Sequence, residues 1–326
     1  MSLMRQIGLG YIADAGNNRR MAESQPQRPP LTPAYWGGWA GVGFLWLLGK
    51  LSKSAGLILS VPLGWLLPRV MKRRYRIAER NILRCFPELS AAQSHALLRQ
   101  SFRSLARTAF EIAWSWSASD RKINKMSEVR GLQNLLDAHR SGQGVLMMTA
   151  HVTCLEIGAR IIGCHFHAMK GMYRPLKSPV LEWYQTRGRT AYSEGMINKR
   201  DSRSAIRYLR QGGVLWYASD QDFGPEQSVF APFFGIPTAT LLATRRLPQM
   251  TGCKVVMMFP SFDQQTHRYT VDILPALDHF PGDDPAEDLG RINAHIEAQA
   301  RKFPEQYWWV HRRFKTRPEG EAPFYD

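Results

Sequence analysis

Short apolar runs alternate with segments of helical periodicity over most of the chain. Five apolar runs predict strands, at residues 144–149, 168–173, 213–218, 254–259 and 269–274. Apolar residues at helical spacing predict helices, at residues 91–118, 155–163, 178–187, 202–210, 238–247 and 285–302. A capping box at Ser90 and Gln93 and an N-cap at Asp284 open the first and last of these helices. The pattern predicts an α/β fold in which helices flank a mixed sheet.

Two apolar segments, residues 34–49 and 55–68, precede this part of the chain. Each is shorter than the roughly 20 apolar residues of a bilayer-crossing helix, so each fits an interfacial or re-entrant segment better. The basic run at residues 71–76 follows directly and is typical of the cytoplasmic side of a membrane. The alternative is a buried core helix followed by a solvated charged face.

These patterns divide the chain into three parts. We expect a polar N-terminal tail over residues 1–33, a membrane-associated apolar segment with a basic flank over residues 34–76, and an α/β domain over residues 77–320. The polar start has no short basic segment leading into an apolar core, which argues against a cleaved signal peptide.

The charge balance narrows the choice of partner. Forty-three Lys and Arg residues stand against 27 Asp and Glu residues, which gives a net charge of +16. The basic residues concentrate at residues 69–107 and 301–317. An anionic partner is therefore expected, such as a membrane surface, a phosphorylated substrate or a nucleic acid. The four cysteines have no CxxC spacing, which argues against a disulfide scaffold or a zinc ribbon.

Candidate chemistry begins where the first predicted strand ends, at His151 and Glu156. On one continuous helix, residues five apart lie about 140° apart in azimuth, so these two can meet only across a strand-to-helix turn. Such a turn lies at the carboxyl end of a strand, where α/β enzymes build their sites. A histidine oriented by a carboxylate is suited to general-base catalysis. The alternative for His151 is an incidental histidine at the end of a strand. Cys154, three residues further on, is either a thiol nucleophile or, more simply, a packed side chain.

Five ordered blocks carry a resemblance to a known family. They are the His151-x4-Glu156 motif, residues 173–177 with 186–189 (YRPLK and TRGR), residues 219–224 (SDQDFG), residues 230–237 (FAPFFGIP) and residues 308–314 (WWVHRRF). With these blocks the chain resembles the late acyltransferases of lipid A biosynthesis, of the lauroyl or myristoyl type, in the lysophospholipid acyltransferase superfamily. Many members carry Asn before the histidine, where this chain has Ala150.

The resemblance implies a glycerol-3-phosphate-acyltransferase-like fold and acyl transfer from acyl carrier protein to a hydroxyl of a phosphorylated glucosamine lipid. It also implies a site on the cytoplasmic face of the bacterial inner membrane. His151 would take the hydroxyl proton and Glu156 would orient His151, with no covalent enzyme intermediate. No cofactor, metal or nucleic-acid partner is expected.

Five further residues in the matched blocks are candidates for substrate binding. Arg174, Arg187 and Arg189 suit the phosphates, because a guanidinium fork matches phosphate oxygens. Asp220 and Asp222 follow a predicted strand, and we expect one of them to hold an arginine of the site. A Mg²⁺ site is the alternative for this pair, but the motif lacks a third ligand. Residues 230–237 suit a rigid loop beside an acyl chain or, equally, plain core packing.

Two other functions remain open at this point. A glycerophospholipid acyltransferase of the lysophosphatidic acid type has the same spacing of a histidine and an acidic residue, His-x4-acid, but acts on a different acceptor. A non-enzymatic basic protein that binds anionic lipid or nucleic acid would use only the two basic clusters. Replacing His151 separates the classes, because it leaves the binding protein intact and removes the enzyme's base.

Overall fold

A computed structural model describes residues 28–325, so most of the predicted tail at residues 1–33 lies outside the described residues. Within residues 28–325 the nine strands are β1 Ser127–Arg130, β2 Val145–Thr149, β3 Met169–Tyr173, β4 Gly195–Asn198, β5 Val214–Ala218, β6 Ser228–Phe233, β7 Ile236–Leu241, β8 Lys254–Asp263 and β9 Arg268–Ala276. The described part of the chain has eleven α-helices, which are α1 Trp36–Lys50, α2 Lys53–Val70, α3 Lys72–Cys85, α4 Ala91–Ser117, α5 Asp120–Lys125, α6 Leu132–Arg140, α7 Leu155–Gly163, α8 Pro179–Thr190, α9 Ser202–Arg210, α10 Ala243–Thr251 and α11 Pro285–Lys302.

Seven strands form one mixed sheet in the order β1-β9-β8-β2-β5-β3-β4. The strands from β8 to β4 are mutually parallel, whereas β9 pairs with β8 in the antiparallel direction. All five predicted strands are present, as β2, β3, β5, β8 and β9, and the predicted α/β class with a mixed sheet is confirmed. β2 lies at the centre, and every one of its residues is buried.

The predicted helix at residues 238–247 is wrong in its first half. Residues 236–241 form β7, which pairs with β6 in an antiparallel hairpin, and α10 begins only at Ala243. Thr238 and Thr240 are β-branched and buried, which favours a strand. The hairpin turns through Phe234 and Gly235, both with positive φ, so residues 230–237 form a hairpin rather than a loop.

The two N-terminal helices, α1 and α2, pack on the long helix α4. Close packing needs glycine here, because a Cβ at Gly56 would lie 2.6 Å from the Trp114 ring and one at Gly64 would lie 2.7 Å from the Arg103 backbone. The outward faces of both helices carry exposed apolar side chains, including Trp36, Phe44, Leu47, Ile58, Trp65 and Val70. Within the described residues, no single helix is long and apolar enough to cross a membrane; α2 and α3 meet that test only together, across a bend of 98°.

Candidate active site

His151 lies two residues beyond the end of β2, at the carboxyl edge of the sheet. The neighbouring parallel strand β5 ends at Ala218 and leads into a loop, residues 219–224, that brings Asp220 to the histidine. The backbone N–H of His151 donates to both carboxylate oxygens of Asp220 at 3.0 Å, and Nδ1 of the ring lies 2.5 Å from Oδ1. Asp220 thus fixes both the backbone and the ring of His151.

This geometry assigns the tautomer of His151. An ionised carboxylate only accepts, so the hydrogen of the neutral ring is on Nδ1. The amide nitrogen of Gln221 lies 3.0 Å from Nε2, and because that nitrogen only donates, Nε2 is the acceptor. Burial alone raises the pKa of Asp220, but the hydrogen bonds of His151 and the positive charge of its protonated form outweigh burial and hold this pKa well below its usual range. His151 is therefore arranged as a base with its lone pair on Nε2.

The C-terminal segment, residues 307–316, lies across this edge of the sheet. The Trp308 N–H donates to the carbonyl of His151 at 3.1 Å, and the Asn81 side chain donates to the carbonyls of Trp309 and His311. The rings of His311 and His151 have centroids 5.4 Å apart. Burial, and then the nearby charge of His151, lower the pKa of His311 to about 4, so this second imidazole is neutral at pH 7.

Asp222 holds the loop at residues 219–224 to the C-terminal segment. It accepts from the backbone N–H of Thr316 at 2.6 Å, from the Thr316 hydroxyl at 2.8 Å and from the Gly224 N–H at 2.9 Å. Asp220 is hydrogen-bonded to His151, and the nearby charge of Arg313 also lowers its pKa, whereas Asp222 is hydrogen-bonded to Gly224 and Thr316. That one of the two carboxylates holds an arginine of the site stays a prediction. Together the two carboxylates order the loop that carries Gln221.

Glu156 is buried at the start of α7, in a cluster of its own. It accepts from the Trp116 indole at 2.6 Å, from the Tyr192 hydroxyl at 2.9 Å, and from Arg189 through Nε at 2.9 Å and a terminal nitrogen at 2.6 Å. Burial raises the pKa of Glu156, but Arg189 and the other donors outweigh burial and lower it. The expected role of Glu156 in orienting His151 is corrected, because Asp220 and Gln221 contact the two ring nitrogens.

The three predicted phosphate-binding arginines lie in different environments. Arg189 on α8 is directed to Glu156, and the charge and hydrogen bonds of Glu156 raise its pKa against the effect of burial. The phosphate role predicted for Arg189 therefore does not fit this structure, because its guanidinium is committed to a buried ion pair. Arg187 is exposed, 5.6 Å from the centroid of the Trp183 ring. Arg174 is exposed directly after β3, at the same edge of the sheet as His151.

Cys154 is a packed side chain, as the simpler interpretation held. It is fully buried, its Sγ lies 3.6 Å from the side-chain oxygen of Gln306, and burial raises the pKa of its thiol. A buried thiol of raised pKa is a poor nucleophile.

Sequence reasoning missed several residues of the site. Gln221 and His311 lie within matched blocks, and that placement was the available signal for both. Nothing in the local sequence indicates that Trp116 and Tyr192 contact Glu156, because Trp116 lies on α4 and Tyr192 follows α8, both more than 30 residues away in the chain.

Comparisons with known proteins bear on the chemistry of this site. Residues 24–316 match the family described as bacterial lipid A biosynthesis acyltransferase. The chain is 37% identical over 291 residues to the lipid A biosynthesis lauroyltransferase of Escherichia coli (strain K12), covering 89% of this chain and 95% of that protein. It is 35% identical over 296 residues to the palmitoleoyltransferase of the same strain, covering 90% and 96%, and 29% identical over 303 residues to the myristoyltransferase, covering 90% and 91%. The chain therefore belongs to the bacterial lipid A biosynthesis acyltransferase family and is an acyltransferase.

Proposed function

We propose that this acyltransferase moves a fatty acyl chain from acyl carrier protein to a hydroxyl of a phosphorylated glucosamine precursor of lipid A, with His151 as the general base. The observation that carries the proposal is the pair of His151 and Asp220 at the carboxyl edge of β2, with the Nε2 lone pair facing outward to Gln221. The His151 side chain is 24% exposed, so a substrate can reach it.

The proposed reaction is direct transfer. The acceptor hydroxyl takes the place of the Gln221 amide at Nε2 and gives its proton to His151 as its oxygen attacks the thioester carbonyl. The carbon–sulfur bond then breaks, and the thiolate leaves with the proton that His151 holds. Asp220 stabilises the imidazolium between these steps. Every proton and bond is accounted for without a covalent enzyme intermediate, a metal or a cofactor.

Glu156 is assigned a positioning role in this proposal. Its carboxylate ties α7, which follows His151, to α4 through Trp116 and to α8 through Arg189. Glu156 thereby holds the α7 end of the turn between His151 and α7, and Asp220 holds the His151 end. The His151-x4-Glu156 motif would then join the base to the residue that anchors the elements around it.

The proposed membrane-facing surface lies on α1 and α2. The outward faces of these helices carry many exposed apolar side chains, and the Arg69 guanidinium lies 3.5 Å from the centroid of the Trp65 ring. A large exposed apolar surface with aromatic and basic residues at its rim is typical of a protein that docks on lipid. We propose that this face lies in the cytoplasmic leaflet of the bacterial inner membrane and that the fold is of the glycerol-3-phosphate-acyltransferase type.

Mass spectrometry tests the function directly. A tetra-acylated, bis-phosphorylated lipid A precursor is incubated with detergent-purified protein and a panel of acyl carrier proteins that differ in chain length. We expect a gain of one acyl group. The His151→Ala variant should lose about 10²- to 10⁴-fold in rate, which is the contribution of a general base.

The same assay separates the alternatives. No mass gain with any donor, together with acylation of a lysophospholipid, would move the acceptor to the glycerophospholipid class. Transfer at the wild-type rate by the His151→Ala variant would show that the base is another group. Thermal unfolding of the variant is the control, because a partly exposed histidine should be replaceable without loss of the fold.

A further inference from the structure

Three basic side chains, at Arg174, Lys199 and Arg200, gather where β3 and β4 end. Arg174 directly follows β3 and Lys199 directly follows β4. The two strands are parallel neighbours, and the Lys199 N–H donates to the carbonyl of Tyr173 at 2.8 Å. Topology therefore brings together residues that are 25 positions apart in the chain. Arg174, Lys199 and Arg200 together form the basic edge of the sheet.

The basic edge adjoins the loop that serves His151. The Lys199 ammonium lies 4.9 Å from the centroid of the Phe223 ring, and Phe223 is three residues beyond Asp220. In the sheet, β3 and β4 lie two and three strands from β2. At about 4.8 Å per strand, the basic edge is roughly 10 to 14 Å from the strand that leads to His151.

The basic edge has no ion-pair partner among the residues that the structure describes. Within residues 28–325, no ion pair joins a carboxylate to Arg174, Lys199 or Arg200. Asp201, the next residue in the chain, caps α9 by accepting from the Ser204 N–H at 3.0 Å. Burial, and then the charges of Arg174 and Arg200, lower the pKa of Lys199, which indicates that the three cations are close enough to repel one another. An anion bound among them would relieve that repulsion.

The neighbouring apolar helix α1 indicates which kind of anion the basic edge binds. The segment after Arg174 leads through Ser178 into α8, and α1 packs there so closely that a Cβ at Gly38 would lie 2.8 Å from Val180 and 3.2 Å from the Ser178 hydroxyl. The ring centroids of Trp39 and Trp183 are 5.5 Å apart across the same contact. A lipid with its chains against α1 would have its headgroup at this end of the sheet.

We infer that the basic edge binds a phosphate monoester on the headgroup of the acceptor lipid, and that this contact sets the distance between the phosphate and the hydroxyl presented to His151. The inference rests on the proposed function, and it adds Lys199 and Arg200 to Arg174 as the residues that recognise the phosphate. Phosphate oxygens accept well from guanidinium and ammonium donors, and a dianion compensates more than one cation.

Kinetics with three variants tests the site. Lys199→Ala and Arg174→Ala should each raise the KM for the bis-phosphorylated precursor about tenfold, the loss expected for one hydrogen bond to a charged group, with kcat changed less than about twofold. Lys199→Arg should stay close to wild type, because it keeps the charge and the donor. The matched control is Arg140→Ala, which removes one exposed cation from α6.

Two precursors that each lack one phosphate identify the contact. With the precursor that lacks the recognised phosphate, the wild-type protein should already have the raised KM, and Lys199→Ala should add no further increase. An equal KM for wild type and variants with the bis-phosphorylated precursor would overturn the site. A rise in the KM for the carrier-protein donor alone would also overturn it, because the phosphate contacted would then be that of the carrier's pantetheine arm.

A binding measurement keeps the site separate from the reaction. Calorimetric titration of the bis-phosphorylated precursor in detergent micelles, without donor, should give about tenfold weaker binding to Lys199→Ala than to wild type or Arg140→Ala. If this difference is found and no acyl transfer occurs, the proposed function fails and the phosphate site stands. If transfer occurs and binding is equal, the site fails and the function stands.

Discussion

Two buried carboxylates, Asp220 and Glu156, lie near the end of β2. They differ in whether the side chain they bind keeps an atom that a substrate can reach. Asp220 binds one side of His151 and leaves the Nε2 lone pair facing outward. Glu156 binds Arg189 through both of its oxygens and also accepts from Trp116. The hydrogen-bonding groups of this pair therefore bind each other and are not directed toward a substrate. A carboxylate can support chemistry at a neighbour only where the neighbour keeps an atom that a substrate can reach, as Nε2 of His151 becomes reachable when the Gln221 amide is displaced. By this criterion we propose that the first pair is catalytic and the second is structural.

Loss of the Asp220 charge should give the largest effect within this comparison. In Asp220→Asn the neutral amide no longer fixes the hydrogen of the His151 ring on Nδ1, and it no longer stabilises the imidazolium by charge. We therefore expect kcat to fall about 10²- to 10³-fold. Steady-state kinetics with saturating acceptor and donor measures this. A fall of less than about threefold would mean that Asp220 does not assist the base.

Breaking the second pair should affect stability more than chemistry. Glu156→Gln or Arg189→Met leaves a buried charge without its partner, so each should lower the free energy of unfolding by about 3 to 5 kcal/mol. The double variant should lose less than the sum of the two. Denaturant unfolding in a fixed detergent measures all three. Additive losses would contradict the pairing of these two residues.

The two pairs should also share a pH dependence of stability. Both carboxylates have folded-state pKa values below their ordinary values, so their contribution is complete above the unfolded-state pKa of about 4 and is lost as the pH falls through the folded values. The difference in unfolding free energy between wild type and Glu156→Gln should therefore be constant from about pH 6 to 8 and shrink below about pH 4. A difference that grew on acidification would contradict the assigned charge of Glu156.

The smallest expected effect concerns Gln221. Its amide occupies the lone pair that the acceptor hydroxyl must use, so Gln221→Ala should lower the acceptor KM by about two- to fivefold, the worth of one neutral hydrogen bond. Acceptor titration at a fixed donor concentration measures this change. A rise in KM would instead assign the amide to substrate binding.

Local rules predicted the parts of the fold that depend on neighbours in the chain. The capping box at Ser90 and Gln93 opens α4, and the apolar run before His151 is the buried central strand β2. The short strands β1 and β4 escaped prediction, because four residues carry too little periodicity to be recognised. The local pattern predicts a helix where β7 lies, but the pairing of β7 with β6 outweighs that pattern.

The candidate site divides in the same way. The sequence by itself determined that a histidine would stand at a strand-to-helix turn, at the edge of a parallel sheet, among basic and apolar segments. Only the tertiary structure decided which carboxylate meets that histidine, because Asp220 lies 69 residues away and arrives through the pairing of β2 with β5. Glu156, five residues away, is directed by α7 to Trp116 and Arg189. Strand pairing and helix packing join residues distant in the chain, and the spacing of residues within a motif does not contain that information.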